Sequence, residues 1–208
     1  MSIVKLNNNG VKNATAFGSI TGLGSMTFIK KLTASSSANL SFVHGSGGVD
    51  FSAYKEYYFT FKNIHPQTDE VFFTFNLSID GGSNYNVAKT TTAFHAFNSS
   101  GSYGNETVVY YASADLAQGT GTQKLSGFSN SNENSSGLNA TMNLFNPNSD
   151  TFVKHFILRT SSLTGGESYG EDSFIAGYAN TASDIDAIQF SMSSGNIDAG
   201  DICLYGIA

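Results

Sequence analysis

Two runs of alternating aromatic and polar residues lie close together in the first half of the chain, around positions 57–61 and 71–77. Because successive side chains of a β-strand point to opposite faces, each run predicts a strand with one apolar face. Two such strands make half of a two-layer β core. The positions predicted to be buried are Tyr57, Phe59, Phe61, Val71, Phe73, Phe75 and Leu77.

Further segments with strand character follow at short intervals, and no segment has helical periodicity of useful length. About ten strands at regular spacing predict an all-β, jelly-roll-type antiparallel β-sandwich. Segment 151–159 alternates Phe152, Lys154, Phe156 and Leu158 on one face with Val153, His155, Ile157 and Arg159 on the other. The remaining predicted strands are 26–31, 38–43, 87–97, 106–112, 138–145, 173–179, 186–192 and 201–207.

Turn-forming residues separate these strands. Pro66 lacks a backbone N–H and should end the ladder of its strand. The stretch Asp80–Ser83 contains two glycines and predicts a tight hairpin. Residues 113–137 have the polar composition of a mobile surface loop, and residues 160–172 are predicted to form another loop.

Residues 1–25 mix polar residues with isolated apolar ones and lack sustained periodicity. We interpret this segment as an extended arm that becomes ordered on a partner surface, and residues 26–208 as the sandwich. Four lysines and no acidic residue precede Asp50, whereas the rest of the chain has 6 basic and 16 acidic residues, a net charge of −10. An acidic body argues against nucleic-acid binding, while the basic arm could dock on an acidic protein surface.

Cys203 is the only cysteine, which excludes an intrachain disulfide and indicates a buried apolar residue. The first ten residues lack the apolar stretch of a signal peptide. No segment approaches the roughly 20 apolar residues of a membrane span. We therefore expect synthesis in the cytoplasm without membrane insertion.

Several stretches together resemble a widespread family of small virion proteins from tailed phages, especially marine ones, often encoded beside tail-fibre genes. The resemblance extends from Lys5 to Ile207 and implies a structural role in a virion. Its motifs are turns and strands, so it implies no catalytic or cofactor-binding residues. The stretches are KLNNNGVKNAT, YKEYYFTFKNIHP, FNLSIDGGSNYN, ADLAQGTGTQ, MNLFNPNSDTFVKHF and FIAGYANTASDIDAIQFSMSSGNIDAGDICLYGI.

No catalytic constellation is evident in the sequence, and we predict that the protein is not an enzyme and needs no cofactor. The histidines His44, His65, His95 and His155 lack metal-binding spacing, although His95 and His155 could face each other across the sheet. The carboxylates Asp184, Asp186, Asp198 and Asp201 leave a calcium site open, but they match no calcium-binding loop. Tyrosines that could stack on sugar rings are Tyr103, Tyr110, Tyr111 and Tyr169, with packing against strand neighbours as the alternative.

The expected function is a non-enzymatic structural protein on the outside of a phage particle. It would be a fibre or capsid-decoration subunit, attached to other virion proteins through residues 1–25. We expect a homotrimer, because fibre tips and capsid protrusions are built at symmetric points. The alternative is a tail-fibre tip that recognises a glycan on the host surface.

Overall fold

The computed structural model describes residues 26–99, 107–163 and 169–208. The predicted arm, residues 1–25, lies outside this part. The described part forms strands and one short 3₁₀ turn at Ala112–Ala114. The strands are β1 (Met26–Ser37), β2 (Leu40–Val43), β3 (Glu56–Pro66), β4 (Phe73–Ser78), β5 (Lys89–Ser99), β6 (Thr107–Tyr110), β7 (Gln123–Lys124), β8 (Leu138–Phe145), β9 (Lys154–Leu163), β10 (Tyr169–Ala179), β11 (Ala187–Met192) and β12 (Ile197–Ile207).

The strands form two antiparallel sheets, which confirms the predicted all-β sandwich. The large sheet has eight strands in the order β1-β12-β3-β8-β9-β10-β5-β6. The small sheet has four strands in the order β2-β11-β4-β7. Sheets packed face to face bury their inner side chains in a shared core.

Aromatic rings from both sheets meet in this core, as the alternating pattern predicted. All seven predicted positions in the first two aromatic runs are buried. The rings of Phe61 in β3 and Phe73 in β4 lie 5.8 Å apart, and those of Phe75 in β4 and Phe156 in β9 lie 5.1 Å apart. Because β3 and β4 belong to different sheets, these ring contacts join the two layers.

The predicted hairpin at Asp80–Ser83 is wrong. The residues do form a turn, with positive φ at Gly81 (71°) and Gly82 (79°). However, the turn leads from β4 in the small sheet to β5 in the large sheet, and these strands do not pair. The glycines predicted the local geometry correctly, but the pairing of the flanking strands depends on the distant partners β11 and β10.

Residues 113–137 are only partly the surface loop that their composition suggested. Lys124 pairs with Thr74, which adds β7 to the small sheet, and Leu125 is buried. Residues 111–131 contact the inner face of β5 and β10: Leu116 N donates to Thr91 Oγ1 at 2.8 Å. The backbone N–H of Gly127 donates to Glu171 Oε1 of β10 at 2.7 Å, so the segment covers part of the core.

The predicted loop at 160–172 is also wrong at both ends. β9 continues to Leu163 and β10 already begins at Tyr169. Phe152, predicted to share the face of Phe156, precedes β9 and is 69% exposed. Small polar residues are common in 160–163 and 169–173, so the sequence offers little strand signal there, although both stretches are paired in the large sheet.

Candidate functional site

The outer face of the large sheet carries a row of four side chains across neighbouring strands. Arg159 of β9 lies opposite Phe174 of β10. Phe174 lies opposite Phe94 of β5, which in turn lies opposite Tyr110 of β6. We call Arg159, Phe174, Phe94 and Tyr110 the outer row.

The rings of the outer row stack along it. The centroids of Phe94 and Phe174 are 4.9 Å apart with an interplanar angle of 7°, and the Arg159 guanidinium carbon lies 4.8 Å from the Phe174 centroid. Since strands are about 4.8 Å apart, the rings stand upright on the sheet. Both faces of Phe174 are therefore covered, and solvent meets ring edges rather than a flat platform.

Apolar side chains around the outer row are unusually exposed. Phe94 is 44% exposed and Tyr110 63%, and the neighbouring Ile157 and Val108 are 55% and 67% exposed. Clustered exposure of large apolar residues marks interaction surfaces more often than isolated exposure does. We call these residues together with Phe174 the outer patch.

A depression of about 610 Å³, which we call the polar groove, adjoins the outer row and crosses β3, β8, β9 and β10. Arg159 closes one side of it through a bidentate ion pair with Asp172, with Nε–Oδ1 at 2.9 Å and Nη2–Oδ2 at 2.6 Å. Hydrogen bonding to Asp172 raises the pKa of Arg159. The polar side chains that line the groove are Thr60, Lys62, Asn139, Thr141, Arg159, Ser161 and Asp172.

Glu171, the residue before Asp172 in β10, points to the inner face of the large sheet. It is the centre of a buried polar network. His95 Nδ1 lies 2.7 Å from Glu171 Oε1, with both side chains at most 3% exposed. The carboxylate also accepts hydrogen bonds from Ser162 Oγ (2.9 Å) and Ser173 Oγ (2.7 Å). The backbone N–H of Gly127 donates at 2.7 Å and holds the covering segment on the sheet. These contacts provide hydrogen-bond partners for a buried carboxyl group and serve a structural purpose.

Two buried lysines lie at the other end of the inner face. Lys89 and Lys154 flank Ala179 on β10. Lys89 Nζ donates to Asn76 Oδ1 and to the Val87 carbonyl at 2.9 Å, and Lys154 Nζ donates to the Thr181 carbonyl at 3.0 Å. Burial lowers the pKa of Lys89 to about 8 and also lowers that of Lys154. Lys154 therefore lies on the buried face that its alternation predicted.

The structure separates most of the residues that the sequence singled out. His95 points into the core, whereas His155 is exposed on the outer face beside Tyr178, so the expectation that they face each other is wrong. His44 and His65 lie apart from them, near Asp50 and Asp198. His95 is two residues from the inward-facing Ala93, whereas His155 is one residue from the inward-facing Lys154, so the two rings lie on opposite faces of the sheet.

The four aspartates form two separate groups. Asp186 accepts a hydrogen bond from Gly81 N at 2.7 Å, next to the small sheet, and Asp184 lies two residues before it. Asp201, in β12 of the large sheet, accepts hydrogen bonds from Thr33 (2.5 Å) and Lys31 (3.1 Å), which lower its pKa. Within residues 26–99, 107–163 and 169–208, no group of three His, Cys, Asp or Glu side chains is placed to hold a metal ion.

The tyrosines differ from one another in their surroundings. Tyr103 lies outside the described residues. Tyr110 is exposed and donates a hydrogen bond to Asp115. Tyr111 packs 5.2 Å from His95, and Tyr169 stacks on Phe128 at 5.7 Å. Packing against neighbours thus accounts for Tyr111 and Tyr169, and Tyr110 is the one of these three described tyrosines that belongs to an exposed surface.

The sequence alone missed the outer row and the Glu171 network. The alternating pattern predicts that Arg159 lies on the other face of its strand from Phe156 and Leu158, and this pattern indicates that its side chain points outward. The pattern did not show that β9, β10, β5 and β6 are neighbours, which brings Arg159 and Phe94 into one row.

No protein-family model, curated protein or solved structure matches this chain. The described residues contain no helix with the length and apolar character needed to cross a membrane.

Proposed function

We propose that this protein is a non-enzymatic structural subunit of a phage virion, displayed on the outer surface as a fibre or capsid-decoration protein. The single observation that carries the proposal is the outer patch, an exposed apolar area on an otherwise well-packed sandwich. Such an area suits a protein that works through its surface. The resemblance of the sequence to small tailed-phage virion proteins supports the same function.

The strand order supports a jelly roll enlarged by four strands. When β5, β6, β9 and β10 are set aside, the sheets are β1-β12-β3-β8 and β2-β11-β4-β7. The remaining strands pair first with last, second with second-last and so on, which is the order of a rolled-up hairpin. The outer row lies entirely on the four additional strands. We propose that these strands adapt a jelly roll for binding, because sites are commonly added to a shared scaffold.

The non-enzymatic part of the proposal is supported by the contacts of the candidate catalytic groups. His95 and Glu171 are buried and engaged with each other and with Ser162, Ser173 and Gly127. The two lysines with lowered pKa values donate to carbonyl groups inside the core. A catalytic role requires access to a substrate, and these groups instead hold loops and strands together.

The proposed partners are other virion proteins, which residues 1–25 would contact, and further copies in a homotrimer. The site of action would be the virion surface, after synthesis in the host cytoplasm. Quantitative mass spectrometry of purified particles tests this proposal. Decoration predicts roughly tens to hundreds of copies, and a fibre predicts a small multiple of three. Absence from the particle would refute both.

Deleting residues 1–25 tests the attachment. We expect the shortened protein to remain folded, with an unchanged circular dichroism spectrum, and to be missing from particles assembled with it. Incorporation at the level of the full chain would show that attachment uses another part of the molecule. Light scattering of the full chain in solution measures whether three copies associate.

A second candidate function is recognition of a host-surface glycan by a tail-fibre tip. The polar groove beside the outer row favours it, because hydroxyl, amide and charged side chains converge there on an open surface. Low copy number in the particle, together with glycan binding, would favour this function over decoration.

A further inference from the structure

We infer that the polar groove binds a carboxylate-bearing polysaccharide. This inference rests on the glycan-recognition form of the proposed function and adds the class of ligand and the residues that select it. Lys62 and Arg159 would bind the carboxylate, and neighbouring hydroxyl and amide groups would bind the sugar hydroxyls.

Lys62 supplies an ammonium group that no described side chain binds through a hydrogen bond, although its charge helps to lower the pKa of Asp201. It lies on β3 opposite Asp201, but the Asp201 carboxylate accepts hydrogen bonds from Thr33 and Lys31. Among the described residues, none accepts a hydrogen bond from Lys62 Nζ. An exposed ammonium with three free donors at the wall of a groove is suited to an anionic ligand.

Arg159 supplies a second cation that is already held in place. Asp172 binds its Nε and Nη2 atoms, and the Phe174 ring covers one face of the guanidinium. The ion pair fixes the orientation of the side chain while its 62% exposure leaves the remaining donors accessible. Little conformational entropy is then lost when a ligand binds, since the guanidinium is preorganised.

The polar groove has an excess of positive charge, whereas the rest of the sandwich is acidic. Residues 50–208 carry a net charge of −10, yet Lys62 and Arg159 outnumber Asp172 in the groove, and the adjacent Asp201 is paired with Lys31. At physiological salt, charges farther than about 8 Å are largely screened, so a bound anion would sense mainly this local excess. Charge complementarity therefore favours an anionic ligand here.

The shape and the remaining lining favour a sugar chain. The groove is open and about 610 Å³ in volume, within the range of small-molecule sites. Thr60, Asn139, Thr141 and Ser161 offer both donors and acceptors, which match sugar hydroxyls. The upright rings of Phe94 and Phe174 present edges, so recognition would depend on hydrogen bonds and charge rather than on stacking.

Isothermal titration of the full chain with polygalacturonate, alginate and hyaluronan tests the inference. The matched ligand control is fully methyl-esterified polygalacturonate, which keeps the sugar backbone and removes the charge. We expect binding to at least one acidic chain, its loss on esterification, and weaker binding at higher salt. The variants Lys62→Gln and Arg159→Gln should each reduce the affinity about tenfold or more, as expected for loss of a charge-assisted hydrogen bond.

Lys55→Gln is the matched protein control. Lys55 is exposed and lies seven residues before Lys62, roughly 20 Å along the strand direction. The Lys55→Gln variant removes one positive charge, as Lys62→Gln does, and should leave the affinity for the acidic chain unchanged. An equal loss in all three variants would reveal a nonspecific charge effect and overturn the inference.

Two other results would also overturn the inference: binding to none of the acidic chains, or equal binding to the esterified chain. Both results are independent of the virion assignment, which the copy number in purified particles tests separately. A protein that is abundant in particles but binds no acidic chain would be a decoration subunit without this ligand.

Discussion

The two faces of the large sheet are built from the same strands, yet they have opposite characters. On the inner face, Leu158 and Ile175 are buried against the core. One residue further along β9 and one residue back along β10, Arg159 and Phe174 lie on the outer face and build the outer row. Substitutions on the inner face disturb the close packing of the core. Substitutions on the outer face do not, so this face can evolve a binding surface.

The largest expected effect comes from the inner face. Phe73→Ala should lower the free energy of unfolding by about 3–5 kcal/mol, because it leaves a cavity between the sheets. The Phe73 ring lies 5.8 Å from Phe61 and 6.0 Å from Phe190. Chemical denaturation measures the change. An unaltered unfolding midpoint would show that the ring is not in the core.

The buried amine of Lys89 should make stability depend on pH. Its pKa falls from 10.5 to about 8 on folding. The folded protein therefore loses this proton at lower pH than the unfolded chain, and the free energy of unfolding should rise as the pH increases from about 8 to 10.5. The full shift corresponds to about 3 kcal/mol at 1.36 kcal/mol per pKa unit.

Lys89→Met isolates this contribution from that of the other titrating groups. The difference in unfolding free energy between the natural protein and Lys89→Met should change with pH over the same window and be constant below it. A difference that does not vary between pH 8 and pH 10.5 would contradict the burial of the Lys89 ammonium.

Glu171→Gln should cost about 2 kcal/mol, because the amide cannot accept all the hydrogen bonds that the carboxylate accepts. Amide hydrogen exchange should also accelerate at Gly127, which donates to this carboxylate. Asp172→Asn is the matched control one residue away on the outer face. It should cost less than about 1 kcal/mol, because it breaks only an exposed ion pair. Equal costs would contradict the assignment of the two side chains to different faces.

The smallest expected effect is that of Phe94→Ser. Phe94 is 44% exposed, so the change should lower the free energy of unfolding by no more than about 1 kcal/mol, chiefly through the lost stacking on Phe174. Chemical denaturation measures this change as well. A loss as large as that of Phe73→Ala would mean that Phe94 is part of a core.

Alternation along the chain predicted the core of the sandwich correctly. Leu138, Ala140, Met142 and Leu144 all point inward, as their spacing of two requires. Even Lys154 follows its apolar neighbours into the core, although an isolated lysine would be expected at the surface. The face to which a side chain points depends on its position within its own strand, so it can be read from the local sequence.

The strands with which each strand pairs cannot be read from the local sequence. The Gly81–Gly82 turn predicted a hairpin, but the chain crosses there to the other sheet. The sequence predicts a loop around Glu171 because the surrounding serines and glycines lack strand character, and its partner His95 is 76 residues away. For the same reason the outer row could not be predicted, since its members come from four different strands.

The central claim is that this protein is a surface subunit of a phage virion, and a density map of virions purified from cells that produce the protein tests it most directly. We predict that the sandwich lies on the outside of the particle, with residues 1–25 against another virion protein. The outer row and the polar groove should face away from the particle, where a ligand can reach them. The account would be contradicted if the particle lacked this protein, or if the outer face of the large sheet were packed against the shell or tail.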